Sequence, residues 1–312
     1  MALTVLTAAC ARNSGTAAPA PEAPAHVSTF SADSAYAYIA AQTAMGPRVP
    51  GSPAHSRCAD WLSSELARHG ANVAIQDTVM TSTDGTLHPV RNIIGTFRPE
   101  AQRRIMLLAH YDTRPWADQD ADPANHDKPI DGANDGASGV GVILEICRHA
   151  SELPDGTGLI ALFVDAEDAG TYTDDASWCL GSQAYAASIA SSPFGRPEYA
   201  ILLDMVGAHD AIFSREYFSQ NLAPAAVAKI WSTAAAIGHG ARFSDNVGGA
   251  INDDHVHLLA LGIPAVDIIE MSNPLTGSFH PSWHTMADNL DIISKPTLKA
   301  VGETVLETVK KK

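Results

Sequence analysis

The sequence predicts a single α/β domain, a three-layer α/β/α sandwich around a central, mixed but mostly parallel, twisted sheet. Three observations predict it. Four runs are almost continuously apolar: RIMLLAHYD from residue 104, LIALFVDAE from 159, YAILLDMVG from 199 and PAVDIIE from 264. Strands read this way when helices cover both faces of their sheet. Helical periodicities alternate with these runs, and no second linker interrupts the chain after residue 30. Finally, 312 residues with 46% hydrophobic content are enough to fill one large core, which excludes disorder as the main state.

Residues 1–28 stand apart from that domain. MALTVLTAACA is uncharged and apolar and ends in small residues around Cys10, and the Ala/Pro-rich stretch after it, NSGTAAPAPEAPAH, cannot bury a core. The segment resembles the end of a bacterial lipoprotein signal with Cys10 as the lipidated residue. An exported bacterial protein is therefore expected, periplasmic or anchored to the membrane through a lipid; an ordinary N-terminal tail is the alternative. Residues 29–312 form the folded domain. Helical spacing covers about 32–44 and 54–69, the second with Trp61, Leu62 and Leu66 on one side and Gly70 as its C-terminal stop. The runs ANVAIQDTVM from 71 and VRNIIGTF from 90 read as strands ahead of the four apolar ones. Further helices are expected at about 136–149, 180–191, 223–237 and 297–310. The last carries Leu298, Val301, Val305 and Val309 at helical spacing, Ser294 and Pro296 near its start, and solvated lysines 310–312 at its end.

Charge and cysteine usage remove several function classes. Asp plus Glu number 35 against 20 Lys plus Arg, and the acids are dispersed, so no surface that neutralises nucleic-acid phosphates is expected. No uncharged apolar run approaches the roughly 18–20 residues that span a bilayer. The four cysteines show no CxxC spacing, which removes thiolate zinc fingers and thioredoxin-type redox chemistry, and leaves the redox state of Cys58, Cys147 and Cys179 open.

The positions of the acids and histidines carry the functional reading. Ligand sites of open α/β sheets gather beyond the carboxyl ends of strands. Here the run from 104 delivers His110 and Asp112, that from 159 delivers Asp165, Glu167 and Asp168, and that from 199 carries Asp204. Asp253, Asp254 and His255 precede the run from 264; Asp135 lies in GANDGASGVG, where a glycine-rich turn opens a helix; His284 lies in HPSWHTMADN before the last helix. Carboxylates and imidazoles without thiolates suit zinc in a catalytic site. Taken singly, Asp135 fits a helix N-cap, His110 a hydrogen-bonded core histidine and Asp112 a turn residue. Together they converge too closely for those readings. Glu167 and Asp168, adjacent at the end of an apolar strand, would repel each other unless one coordinates a cation.

In order along the chain, AHYDTRP, PIDGANDGASGVGVILEI, FVDAEDAG with WCLGSQ, LLDMVG, INDDH and SWHTMADN resemble the zinc aminopeptidases of peptidase family M28. Within it they are most similar to the glutaminyl cyclases, the bacterial members above all, over about residues 30–310. RPWAD with PIDGANDGASG, the INDDH motif and the tryptophan before the final histidine carry the narrower likeness. The resemblance implies one zinc per chain on Asp135, Asp168 and His284, with Glu167 as general acid and base. It implies that Asp204 and Asp253 form a hydrogen-bonded acidic pair sharing a proton. Phe279, Trp283 and Ile251 would line a pocket for the N-terminal glutamine of peptide and protein substrates, unless the aromatics are core residues; Trp178 either reaches the site or packs inside. His110 and Asp112 stand where a second metal or its supporting groups would be.

The chemistry can be assembled from these groups independently. Zinc would polarise the glutamine side-chain carbonyl, and Glu167 would carry a proton from the attacking α-amine to departing ammonia, leaving a pyroglutamyl ring. The nucleophile is already tethered in the substrate, so a second metal is not needed to generate one. A two-zinc aminopeptidase, with Asp135 bridging and His110 and Asp204 on the second ion, is the alternative. A silent binding domain is the third reading, disfavoured because it would have no need of Glu167 together with every ligand.

Overall fold

The computed structural model describes residues 1–2, 28–191 and 195–311; Cys10 and the lipoprotein-like segment lie outside them. The described chain forms helices α1 (Ala32–Thr43) and α2 (Pro53–Arg68), strands β1 (Asn72–Thr81), β2 (Leu87–Phe97) and β3 (Arg103–His110), helix α3 (Ala137–Cys147), strand β4 (Thr157–Val164), helix α4 (Leu180–Ser188), strands β5 (Tyr199–Asp204) and β6 (Phe213–Arg215), helices α5 (Tyr217–Leu222) and α6 (Pro224–Ala236), strand β7 (Phe243–Val247), helix α7 (His255–Leu259), strand β8 (Ala265–Ile269) and helix α8 (Lys295–Lys310). Local chemistry sets several boundaries. Ser31, Ser52 and Ser294 each accept a backbone N–H of the first turn of α1, α2 and α8, and Pro53 and Pro296 occupy first-turn positions, where their missing N–H costs nothing. Gly70, at φ +92°, ends α2 in the left-handed conformation that a side chain would strain.

The main sheet has the order β1-β2-β4-β3-β5-β8. β1 and β2 pair antiparallel, as do β2 and β4, whereas β4, β3, β5 and β8 run parallel. The sheet is thus mixed, with its centre parallel, as the sequence predicts. Side chains alternate between two cores. Ile105, Leu107 and Ala109 face one that includes Ile39 of α1, Leu62 of α2, Val140 of α3 and Val305 of α8. Met106 and Leu108 face the other, with Tyr185 of α4 and Leu258 of α7.

The reading from periodicity departs from the structure in small ways. β2 begins at Leu87 and includes Pro89, because β4 joins it only at Ile93 and the missing N–H falls where one edge of β2 is open. The elements β6, β7, α5 and α7, of three to six residues each, are too short to show a period. Lys310 is not a free solvated end: its ammonium lies 2.5 Å from a Glu152 carboxylate oxygen.

Candidate active site

Because β3, β4 and β5 are parallel, their carboxyl ends meet at one edge of the sheet. Leu108 pairs with Leu202, so two residues further on His110 and Asp204 are level, and His110 Nε2 lies 3.2 Å from Asp204 Oδ1. His110 also pairs with Val164, which puts Asp112 beside the turn after β4. There Asp112 accepts the backbone N–H groups of Glu167 and Asp168, each at 3.2 Å. Asp112 therefore holds the turn that carries the two acids and belongs to neither metal-type group described below.

Asp135 arrives on the loop that opens α3, 3.0 Å from His110 Nε2 through its Oδ1. Two glycines of GANDGASG permit this approach. A Cβ on Gly136 would sit 2.4 Å from the His110 carbonyl oxygen, and one on Gly139 would sit 1.9 Å from that of Leu203. Asp288, four residues after His284, clamps the same loop by accepting the N–H groups of Asn134 at 2.7 Å and Asp135 at 3.1 Å.

Asp135, Asp168 and His284 are all buried and present ligand atoms within 4.8 Å of one another. His284 Nε2 is 3.0 Å from Asp168 Oδ1 and 3.6 Å from Asp135 Oδ2. Asp168 Oδ2 is buried with no hydrogen-bond partner. Burial alone would lower the His284 pKa, but Asp168, Asp118 and Asp135 lift it to about 9. An orphaned carboxylate oxygen beside an imidazole nitrogen held among acids is a cage suited to a cation, and two oxygens with one nitrogen fit zinc in an open catalytic site. The other ring nitrogen, Nδ1, meets Tyr172 Oη at 3.0 Å and Asp118 Oδ1 at 3.5 Å, which fixes the ring orientation a metal ligand needs. His110, Asp135 and Asp204 form a second such group sharing Asp135.

Glu167 lies outside both groups. Burial pushes its carboxyl well above 4.5; His110 opposes the shift, and Asp168, Asp253 and Asp254 add to it. Its Oε1 accepts a contact from Cys179 Sγ at 3.3 Å. Asp253 is raised likewise, by burial and then by Asp204 and Asp254. The hydrogen bond expected between Asp204 and Asp253 is not formed among the described residues. Asp204 is engaged by the buried imidazole of His110, while Asp253 Oδ1 accepts the Asp254 N–H at 2.6 Å and Oδ2 is left without a partner. Asp204 instead faces His110, and its nearness is one of the causes that raise the Asp253 carboxyl.

These groups open into a pocket of about 290 Å³ whose wall includes Trp178, Ile251, Phe279 and Trp283. The Phe279 and Trp283 rings are 4.8 Å apart at 50°, and Trp178 lies nearly parallel to the His284 ring, 6.3 Å away. Trp178 thus reaches the site. Of the residues singled out from the sequence, Asp135, Glu167, Asp168, Trp178, Asp204, Ile251, Asp253, Phe279, Trp283 and His284 line this pocket and His110 stands directly behind it; Asp112 supports it through the main chain, whereas Asp165, Asp254 and His255 do not line it.

Sequence reasoning missed the brace behind the site. The Arg114 guanidinium, 2% exposed, holds Asp118 at 2.6 and 3.1 Å, donates to the carbonyl oxygens of Asp168 and Gly170 at 3.0 Å each, and lies 4.7 Å from the Trp178 ring centre. Its signal was RPWAD, an arginine and an aspartate four residues apart. Ala166, Cys179, Met205 and His284 have φ between 47° and 57°, so four residues with side chains occupy left-handed backbone immediately around the chemistry.

Comparison with known proteins agrees with this fold. The chain is 49% identical to the solved Porphyromonas gingivalis glutaminyl cyclase, with a TM-score of 0.85 over 89% of this chain and 97% of that one. It is 44% identical to a solved leucine aminopeptidase precursor from Bacteroides thetaiotaomicron VPI-5482, with a TM-score of 0.86 over 92% and 99%. The glutaminyl-peptide cyclotransferase of Bos taurus is 27% identical over 287 residues, 80% of this chain and 74% of that protein. The model of peptidase family M28 matches residues 92–309, a span that holds every acid, histidine and pocket residue placed above, and the chain belongs to that family.

Proposed function

We propose that this chain is a glutaminyl-peptide cyclotransferase, which closes the N-terminal glutamine of peptides to pyroglutamate and releases ammonia. The observation that carries the reading is the raised carboxyl of Glu167 in a small aromatic-walled pocket beside, but outside, the Asp135, Asp168 and His284 group. A peptide N-terminus enters with its glutamine side chain against Phe279, Trp283, Ile251 and Trp178. Asp135, Asp168 and His284 would hold one zinc, which when bound would supply polarisation of the side-chain carbonyl. Glu167 removes a proton from the α-amine as nitrogen bonds to the side-chain carbon, and returns it to the amide nitrogen as that carbon–nitrogen bond breaks and ammonia leaves. A carboxyl raised by burial is suited to both halves of that shuttle. Asp204 and Asp253, with Asp253 Oδ2 unfilled, orient the amine. The apolar wall limits water, which would hydrolyse rather than cyclise.

The second reading, a two-zinc aminopeptidase, is favoured by one observation, the His110, Asp135 and Asp204 group. One sample separates the two. Ammonia release from a Gln-initiated peptide without cleavage of a leucine anilide, at one zinc per chain, supports the cyclase. Anilide cleavage requiring two zinc ions supports the peptidase. The Ala/Pro-rich segment after Cys10 supports export to a periplasmic or lipid-anchored location; globomycin-sensitive labelling by a radiolabelled fatty acid tests the anchor.

A further inference from the structure

A second, apolar depression adjoins the catalytic pocket. It has a volume of about 550 Å³ and is lined by Ala176, Phe218, Leu222, Val256, Leu259 and Ala260. Asp175 and Asn252 line both cavities, and Asn252 Nδ2 donates to the Asp175 carbonyl oxygen at 3.3 Å, so one bridged rim separates pocket from groove. Leu222 is 60% exposed. Single exposed leucines are ordinary, but an apolar trough continuous with the mouth of a site is a binding feature.

The trough is built to keep its shape. Its walls come from α5 and α7, and the buried carboxylate of Glu216 joins them: it accepts the Phe218 N–H at 2.9 Å and the Ser219 N–H at 2.6 Å at the start of α5, and bonds His255 Nε2 at 3.1 Å at the start of α7. The same carboxylate accepts the Ile251 N–H at 3.2 Å, which ties both walls to the pocket wall. Pocket and groove therefore keep a fixed spacing.

We propose that this groove is a subsite for the substrate chain downstream of the N-terminal glutamine, selecting peptides with an aliphatic side chain at about the third to fifth residue. The inference rests on the cyclase reading. With the glutamine in the pocket, the rest of the peptide must leave by the mouth, whose rim is also the edge of the groove. At about 3.3–3.6 Å per extended residue, the second residue crosses the rim over Asp175 and Asn252, and the next ones reach Leu222, Val256 and Leu259.

The test is a set of Gln-initiated alanine pentapeptides with one leucine moved through positions two to five, compared with glutamine amide, which ends before the groove. Leucine at one or two of positions three to five is expected to raise kcat/KM about tenfold, mainly through KM, since burying most of one leucine side chain is worth that factor. Leu222→Asp and Ala260→Asp, both at exposed positions, should erase that gain and leave turnover of glutamine amide unchanged. Equal kcat/KM across the series with normal turnover of glutamine amide refutes the groove and leaves the cyclase standing. No turnover of any glutamine substrate refutes the cyclase itself. A change from dimer to monomer in Leu222→Asp with the leucine gain intact assigns the groove to a second copy of the chain and overturns the proposal.

Discussion

Glu167→Gln is the substitution that isolates the proposed proton shuttle. Glutamine keeps the shape of the side chain and still offers an oxygen to Cys179 Sγ, 3.3 Å away in the wild type. It touches neither the Asp135, Asp168 and His284 group nor the Asp112 contacts that hold residues 167 and 168 through their main-chain N–H groups. Fold and metal content should therefore survive. Removing a positioned general acid and base costs about 10²–10⁴ in rate, or roughly 3–5 kcal/mol of barrier at 1.36 kcal/mol per tenfold. The wild-type carboxyl is raised well above 4.5, chiefly by burial, and acts as a base only when ionised, so wild-type kcat/KM should rise with pH through that raised value. The variant should lose this acid limb along with the rate. Ammonia release across pH 5–9, with metal content and melting temperature measured on the same samples, checks all three. Turnover within about threefold of wild type, with metal intact, would remove Glu167 from the reaction.

Three other outcomes follow from the site. Chelation should abolish turnover and added zinc restore it, and Asp168→Ala and His284→Ala should lose metal in equilibrium dialysis where Glu167→Gln does not; equal metal content in all three variants contradicts the ligand set. Asp204→Asn keeps an oxygen toward His110 Nε2, so metal content should stay at one ion while turnover falls by about 10²; a fall from two ions to one would transfer the protein to the aminopeptidase reading. Asp254, buried and pushed up from 3.8 to about 7, binds protons more tightly folded than unfolded, so its contribution to stability declines as pH rises from about 4 to 7. Asp254→Asn should then stabilise the protein against urea by about 2–4 kcal/mol at pH 8 and by little at pH 4, whereas an equal gain at both values would show that charge is not the cause.

The sheet's core and the gathering of acids at its edge were legible because they rest on strong, local signals. β3, β4, β5 and β8 are buried along nearly their whole lengths, so their sequences carry no alternation, and the acids after them fall at one edge as a consequence of parallel pairing. What stayed hidden depends on contacts across sequence. Arg114 reaches the carbonyl oxygen of Gly170 from 56 positions away, and Asp288 reaches Asn134 N from 154, neither of which any local pattern encodes. Asp165 shows the reverse. It stands at the end of an apolar strand like its neighbours, yet the backbone turns it away from the site, onto His55 Nε2 at 2.7 Å and the Arg91 N–H at 2.8 Å. Residue type and strand position did not distinguish it from Asp168; only the left-handed Ala166 between them reverses the direction.

That contrast gives a physical rule for dividing labour among so many buried acids. A buried carboxylate is costly unless hydrogen bonds satisfy it, and backbone N–H groups offset part of that cost. Asp112, Asp165, Asp288 and Glu216 each take at least two N–H groups from the main chain, and each one ties two segments together. Their oxygens are committed to holding the backbone. Asp168 and Asp253 differ, because each line the pocket and keeps one buried oxygen with no partner. Asp254 and Asp267 also carry unfilled oxygens but do not line the pocket, and burial raises both toward the neutral acid, which removes the charge that would otherwise require a partner. Among the described acids, then, an unfilled oxygen facing the pocket marks the groups free to meet a cation or a substrate amine. The saturated ones, equally acidic in the sequence, keep those groups in position.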